Sequence, residues 1–101
     1  LDKKEFLSLK HGDIILGTRV GTPNYSVANG MMLYVLGIGN EYNNLHIIAR
    51  ILKTNSKYEN HAYNIDIGDT LKIYGYEDFK LIDINHKERD KYEHKLFLLD
   101  L

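Results

Sequence analysis

The sequence predicts a mainly β domain, a small antiparallel barrel or sandwich preceded by a short helix. Three observations lead there. Apolar and polar residues alternate over 13–20, 45–52, 62–67 and 71–74, the period of a strand with one covered face. Turn chemistry separates these runs at Gly21-Thr22-Pro23-Asn24, over 39–44 and at Gly68-Asp69, and short strands broken by turns roughly every 10–15 residues characterise small β architectures. The chain has 101 residues, the size of one domain, with no linker or repeat inside it. The expected layout is one domain over 1–101: a helix in 1–12, a barrel over 13–84 and a C-terminal extension over 85–101.

Each element has a local reason. Asp2-Lys3-Lys4-Glu5 has capping-box spacing, with Phe6, Leu7 and Leu9 as the buried side and Gly12 as a left-handed cap. In the first strand Ile14, Leu16, Thr18 and Val20 share a face. The run over 31–38 is apolar on both faces: Met31, Leu33 and Val35 on one, Met32, Tyr34, Leu36 and Ile38 on the other. A strand covered on both sides need not alternate, so something packs on its outer face. The N-terminal helix, the C-terminal segment and a second copy of the chain, forming a homodimer through strand 31–38, are the three covers available. Over 45–52, Leu45, Ile47, Ala49 and Ile51 point inward, His46 and Arg50 outward. Two readings fit the end of the chain: a hairpin between 80–84 and 95–101, or a helix over 88–99 with Tyr92, Leu96 and Leu99 on one stripe.

Composition excludes several functions. There is no cysteine, which removes disulfides, thiolate metal sites and cysteine nucleophiles together and suits a reducing, cytoplasmic setting. The net charge of −1 gives no basic excess for gripping a phosphate backbone. No apolar run approaches the roughly 20 residues of a membrane span. Histidines 11, 46, 61, 86 and 94 lack zinc-site spacing, so no metal and no cofactor is expected. Ser8, Ser26 and Ser56 have no nucleophile context, and no glycine run leads into a helix with Lys-Ser or Lys-Thr, so an enzyme is not expected.

What remains is recognition. His46 and Arg50 share a strand face about 13 Å apart at ~3.3 Å per residue, where they either hold an anion between strands or stand as ordinary outward residues. The polar loop over 23–30 lies between two strands, with Tyr25 at its centre flanked by Asn24 and Ser26; it is either a recognition loop or a long connection whose tyrosine folds back. Arg19 is placed to cover phosphate if the tyrosines stack on bases.

Leu9-Lys10-His11-Gly12-Asp13-Ile14-Ile15, the loop Asn24-Tyr25-Ser26-Val27-Ala28-Asn29-Gly30 and the turn Tyr76-Glu77-Asp78-Phe79-Lys80-Leu81-Ile82 together resemble small SH3-like β-barrel proteins of phage and prophage type, over residues 6–84. The resemblance implies an SH3-like barrel with a binding role and adds Tyr76 to the candidate site. Residues 10–16 also resemble the opening of small endoribonuclease toxins built on such a barrel. Here Gly30-Met31-Met32 stands where those proteins carry Arg-Pro, so their catalytic arginine has no counterpart.

The expectation is therefore a non-enzymatic module that binds a protein partner through Tyr25, Asn24, Ser26, Arg19, His46, Arg50 and Tyr76. A phage-encoded modulator or inhibitor of a host or defence protein fits it. Nucleic-acid binding by the same barrel is the alternative, and ribonuclease-like cleavage the second.

Overall fold

The computed structural model describes residues 1–18, 30–54 and 66–101. Helix α1 (Lys3–Leu7) starts as its sequence dictates. Asp2 Oδ1 accepts from the Glu5 amide at 2.7 Å and Glu5 Oε1 accepts from the Asp2 amide at 3.0 Å. Phe6 is buried and Leu9 packs against the core, while Leu7 points outward. Gly12 has a positive φ of 96°, but it does not cap the helix, which ends at Ser8. Its amide donates to the Val35 carbonyl at 2.9 Å, turning the chain into the sheet.

Five strands follow: β1 (Ile14–Gly17), β2 (Met32–Glu41), β3 (Asn44–Lys53), β4 (Thr70–Ile73) and β5 (Phe79–Ile82). They form one antiparallel sheet in the order β4-β3-β2-β1-β5. A single 3-10 turn, Tyr76–Asp78, leads into β5. Among the described residues β4 and β5 are the two edges and do not pair with each other. The sheet is open, which corrects the expected closed barrel. The physical reason lies in the central strands. Ile14 and Ile15, neighbours on β1, are both fully buried, as are Leu33, Tyr34 and Val35 on β2. Strands apolar on both faces need a layer on each side, whereas a closed barrel buries one face.

The C-terminal helix α2 (His86–Leu99) supplies the second layer, so the chain is mixed α/β rather than mainly β. The alternative hairpin is ruled out because residues 86–99, its second arm, are helical; β5 pairs instead with β1, from Gly17 opposite Phe79 to Ile14 opposite Ile82, and its other edge has no strand on it among the described residues. Asn85 starts the helix, its side chain accepting from the Glu88 amide at 2.9 Å. Leu96 is buried under it and Tyr92 half-buried, as the stripe predicts; Leu99 stays half-exposed. No helix among the described residues is long and apolar enough to cross a membrane.

Two cores result. Phe6, Ile15, Leu33, Val35, Ile47, Ala49, Ile51, Ile73 and Phe79 pack on the first face. Ile14, Tyr34, Leu52 and Leu96 pack on the second, joined by Met32, Leu36 and Tyr92. The cover on the apolar run is thus intramolecular. The β2–β3 register shifts twice: between Met32 and Leu33, where Leu52 is the extra residue on β3, and between Val35 and Gly37, where Leu36 is the extra residue of a bulge on β2. The second shift turns Ile38 onto the first face, where it packs with the first core instead of beside Leu36.

Candidate functional site

The second face carries two features, one at each end of an open strip of sheet. The first is the tip of the β2–β3 hairpin. Glu41 pairs with Asn44, so the turn has two central residues, Tyr42 and Asn43, with φ of 53° and 65°. Positive φ at both is the type I′ turn that suits the twist of a hairpin and favours Asn and Gly. A tyrosine in its first position is held where its Cβ is crowded. Tyr42 is also 92% exposed, so its ring contributes nothing to the core.

Behind the tip, His46 and Tyr74 meet with ring centroids 5.0 Å apart. His46 is only 3% exposed, and its Nδ1 lies 3.2 Å from the Asn44 carbonyl oxygen. The ring lies over Gly39, its register partner: a Cβ at Gly39 would come within 2.4 Å of His46 Nε2. Glycine at 39 is what lets a histidine be buried at a hairpin end. Lys72 Nζ donates to Glu41 Oε2 at 2.9 Å, and this bond holds the Glu41 carboxyl below its usual range. Tyr74 remains half-exposed beside it, and Leu45, on the opposite face of β3, is also substantially exposed.

The second feature is an open groove of about 290 Å³ between α2 and the root of β2, lined by His11, Tyr34, Leu36, Glu93, Leu96 and Phe97, with Arg50 and Asp100 at its end. The Tyr34 hydroxyl donates to Glu93 Oε1 at 2.8 Å. Burial first, and then that hydrogen bond, push the phenol up to about 12. The His11 ring meets Tyr34 edge-on at 5.5 Å. Arg50 Nη1 and Nη2 grip both Asp100 oxygens, at 2.9 and 2.7 Å, and its Nε donates to the Gly68 carbonyl at 3.0 Å. The hydrogen bond from Arg50 holds the Asp100 carboxyl below its ordinary range. Arg89 lies against Gly12 outside this lining, its Nε buried without a hydrogen-bond partner.

Between groove and tip the sheet is open at Gly37, while the His46 ring covers Gly39. Gly37 and Gly39 pair with Ile48 and His46 on this face, and a side chain at Gly37 would meet nothing within 4 Å.

Of the residues expected at a site, Arg19, Asn24, Tyr25 and Ser26 lie outside the described residues. His46 and Arg50 share a face, as their spacing implies, yet they serve separate structures. Arg50 ties α2 to the sheet, so its guanidinium is not turned toward a shared anion. The Tyr76 ring stacks flat on Phe6, with centroids 4.5 Å apart, and closes the edge of the first core. Tyr42 was legible only as one residue of a polar turn cluster; the signal for it is a Tyr-Asn pair centred between two alternating runs. The groove brings together residue 11, the strand pair 34 and 36 and the helix pair 93 and 97, three segments that no local pattern links. No cluster of His, Asp or Glu able to hold a metal is present among the described residues. No family model, curated protein or solved structure matches the chain.

Proposed function

We propose that this domain is a non-enzymatic binding module that recognises a protein partner, with the β2–β3 hairpin end as its contact surface. The observation that carries the reading is Tyr42, a large aromatic side chain almost wholly exposed in a backbone conformation that disfavours it. Folding gains nothing from a tyrosine there, whereas an exposed rigid ring with a hydroxyl is a typical anchor of protein interfaces. Tyr74 adds half-exposed aromatic surface behind it on the same face, and the Glu41–Lys72 ion pair forms a polar border. Backbone strain at an exposed position is a reason to look for function.

A phage-encoded modulator or inhibitor of a host or defence protein is the narrower form of this proposal and rests on the resemblance over residues 6–84. The nucleic-acid alternative loses one of its cations, since Arg50 is engaged by Asp100.

The test is photo-crosslinking from position 42, with a benzophenone amino acid in place of Tyr42, in nuclease-treated bacterial lysate. The expected result is a protein adduct competed away by the unmodified domain but not by Tyr42→Asn. An adduct found only without nuclease, and carrying RNA or DNA, would transfer the assignment to nucleic acid. A protein adduct competed equally by both would remove Tyr42 from the site.

A further inference from the structure

We propose that the groove beside α2 receives a lysine or arginine side chain of the protein partner, an inference that rests on the protein-binding reading above. The groove lining combines apolar side chains with charged ones. Leu36, Leu96 and Phe97 offer a track for an aliphatic stem. Glu93 is in the same lining, and its only hydrogen-bond partner among the described residues is the Tyr34 hydroxyl, on Oε1. The remaining lining charges, Arg50 and Asp100, satisfy one another through two hydrogen bonds and leave little net charge of their own.

Two further features favour a cation over an anion. The rings of Tyr34, His11 and Phe97 surround the space, and aromatic faces attract ammonium and guanidinium groups. Leu96, Phe97 and Asp100 belong to the last turn and C-cap of α2, the negative end of the helix dipole. Arg89 is the opposing charge. It lies against Gly12 beside the Tyr34 hydroxyl, on which its charge acts, but its side chain is not part of the groove lining. A stem-and-head ligand fits this arrangement, and a lysine or arginine side chain is that ligand in a protein. Gly37, over which nothing lies within 4 Å, stands on the same face between the groove and the hairpin end that carries Tyr42, so one partner segment can pass from one to the other.

The experiment is an amide-resolved NMR titration of the domain alone with three probes: N-acetyl-arginine amide, N-acetyl-norleucine amide and acetate. Saturable shifts at His11, Tyr34, Leu36, Glu93 and Phe97 with the arginine probe only are expected. Glu93→Gln retains an oxygen acceptor for Tyr34 but removes the charge, and should weaken the arginine probe about fivefold, as for an exposed ion pair. An unchanged melting temperature would show that this variant is folded. The inference is overturned if the norleucine probe binds as well, if acetate takes the site, if no probe saturates, or if Glu93→Gln binds arginine unchanged. Because the probes need no partner, failure here leaves the crosslink at 42 standing. Loss of that crosslink with retained probe binding would remove the partner while keeping the groove.

Discussion

The two halves of the β2–β3 hairpin are built from the same pair of strands and do opposite things. At the root, Leu33, Val35, Ala49 and Ile51 are fully buried in the first core, and Tyr34 and Leu52 are buried on the other face under α2. Toward the tip the second face carries two glycines, a half-exposed Ile48, a buried histidine and an exposed tyrosine. The slip at Leu36 marks the change. The difference teaches that a helix layer ending partway along a sheet creates two environments from one ladder. Under the helix, side-chain volume holds the fold; beyond it, Gly37 leaves the sheet open and Gly39 makes room for a buried histidine.

The largest way to break this contrast is at the root. Leu33→Ala should cost about 2–5 kcal/mol, because it empties a fully buried site between rigid strands, and urea unfolding would show the midpoint fall without a change in slope. A cost under 1 kcal/mol would mean that the root is not the stabilising half.

Gly39→Ala tests the tip. The new Cβ would collide with the His46 ring, and expelling that ring should cost about 1–3 kcal/mol. In a His46→Ala background the same substitution should cost much less, so a double-mutant cycle that proves additive would contradict the packing described.

The polar ties of α2 come next. Tyr34→Phe should cost about 0.5–1.5 kcal/mol through its bond to Glu93. Because the folded-state pKa of Tyr34 is raised, its contribution is complete below about pH 10, the unfolded tyrosine value, and is lost as pH rises toward about 12. Absorbance at alkaline pH should show one late-titrating tyrosine that Tyr34→Phe removes. Asp100 behaves oppositely. Its folded pKa is lowered, so its contribution exists above about pH 4 and is lost as acid protonates it. Amide exchange in the last turn of α2 should rise on acidification, relative to the intrinsic rate, more than in the first turn, and Arg50→Ala should abolish that difference.

The smallest effect should be at Tyr42. Tyr42→Asn is expected to leave stability unchanged or raise it by about 0.5–1 kcal/mol, since Asn tolerates the left-handed conformation. A clear loss of stability would show that the ring is structural after all.

The local sequence determined much of this protein. Asp2 and Glu5 cap α1, Asn85 starts α2, the alternation of Ile47, Ala49 and Ile51 assigns the inner face of β3, and the two-sided apolar run at 31–38 announces a strand covered on both sides. These features depend on neighbours within a few residues, where hydrogen-bond reach and side-chain period decide the outcome. Tertiary structure decided the rest. Whether the last apolar residues join a strand or a helix turned on the uncovered second face of the sheet, where Leu96 and Tyr92 pack with Ile14, Tyr34 and Leu52. The fate of Arg50, seemingly free on an outward face, turned on Asp100, fifty positions away. Burial of His46 required an empty place on a neighbouring strand at Gly39. Such outcomes depend on which distant surfaces meet, and a local pattern contains the periods of the strands but not their partners.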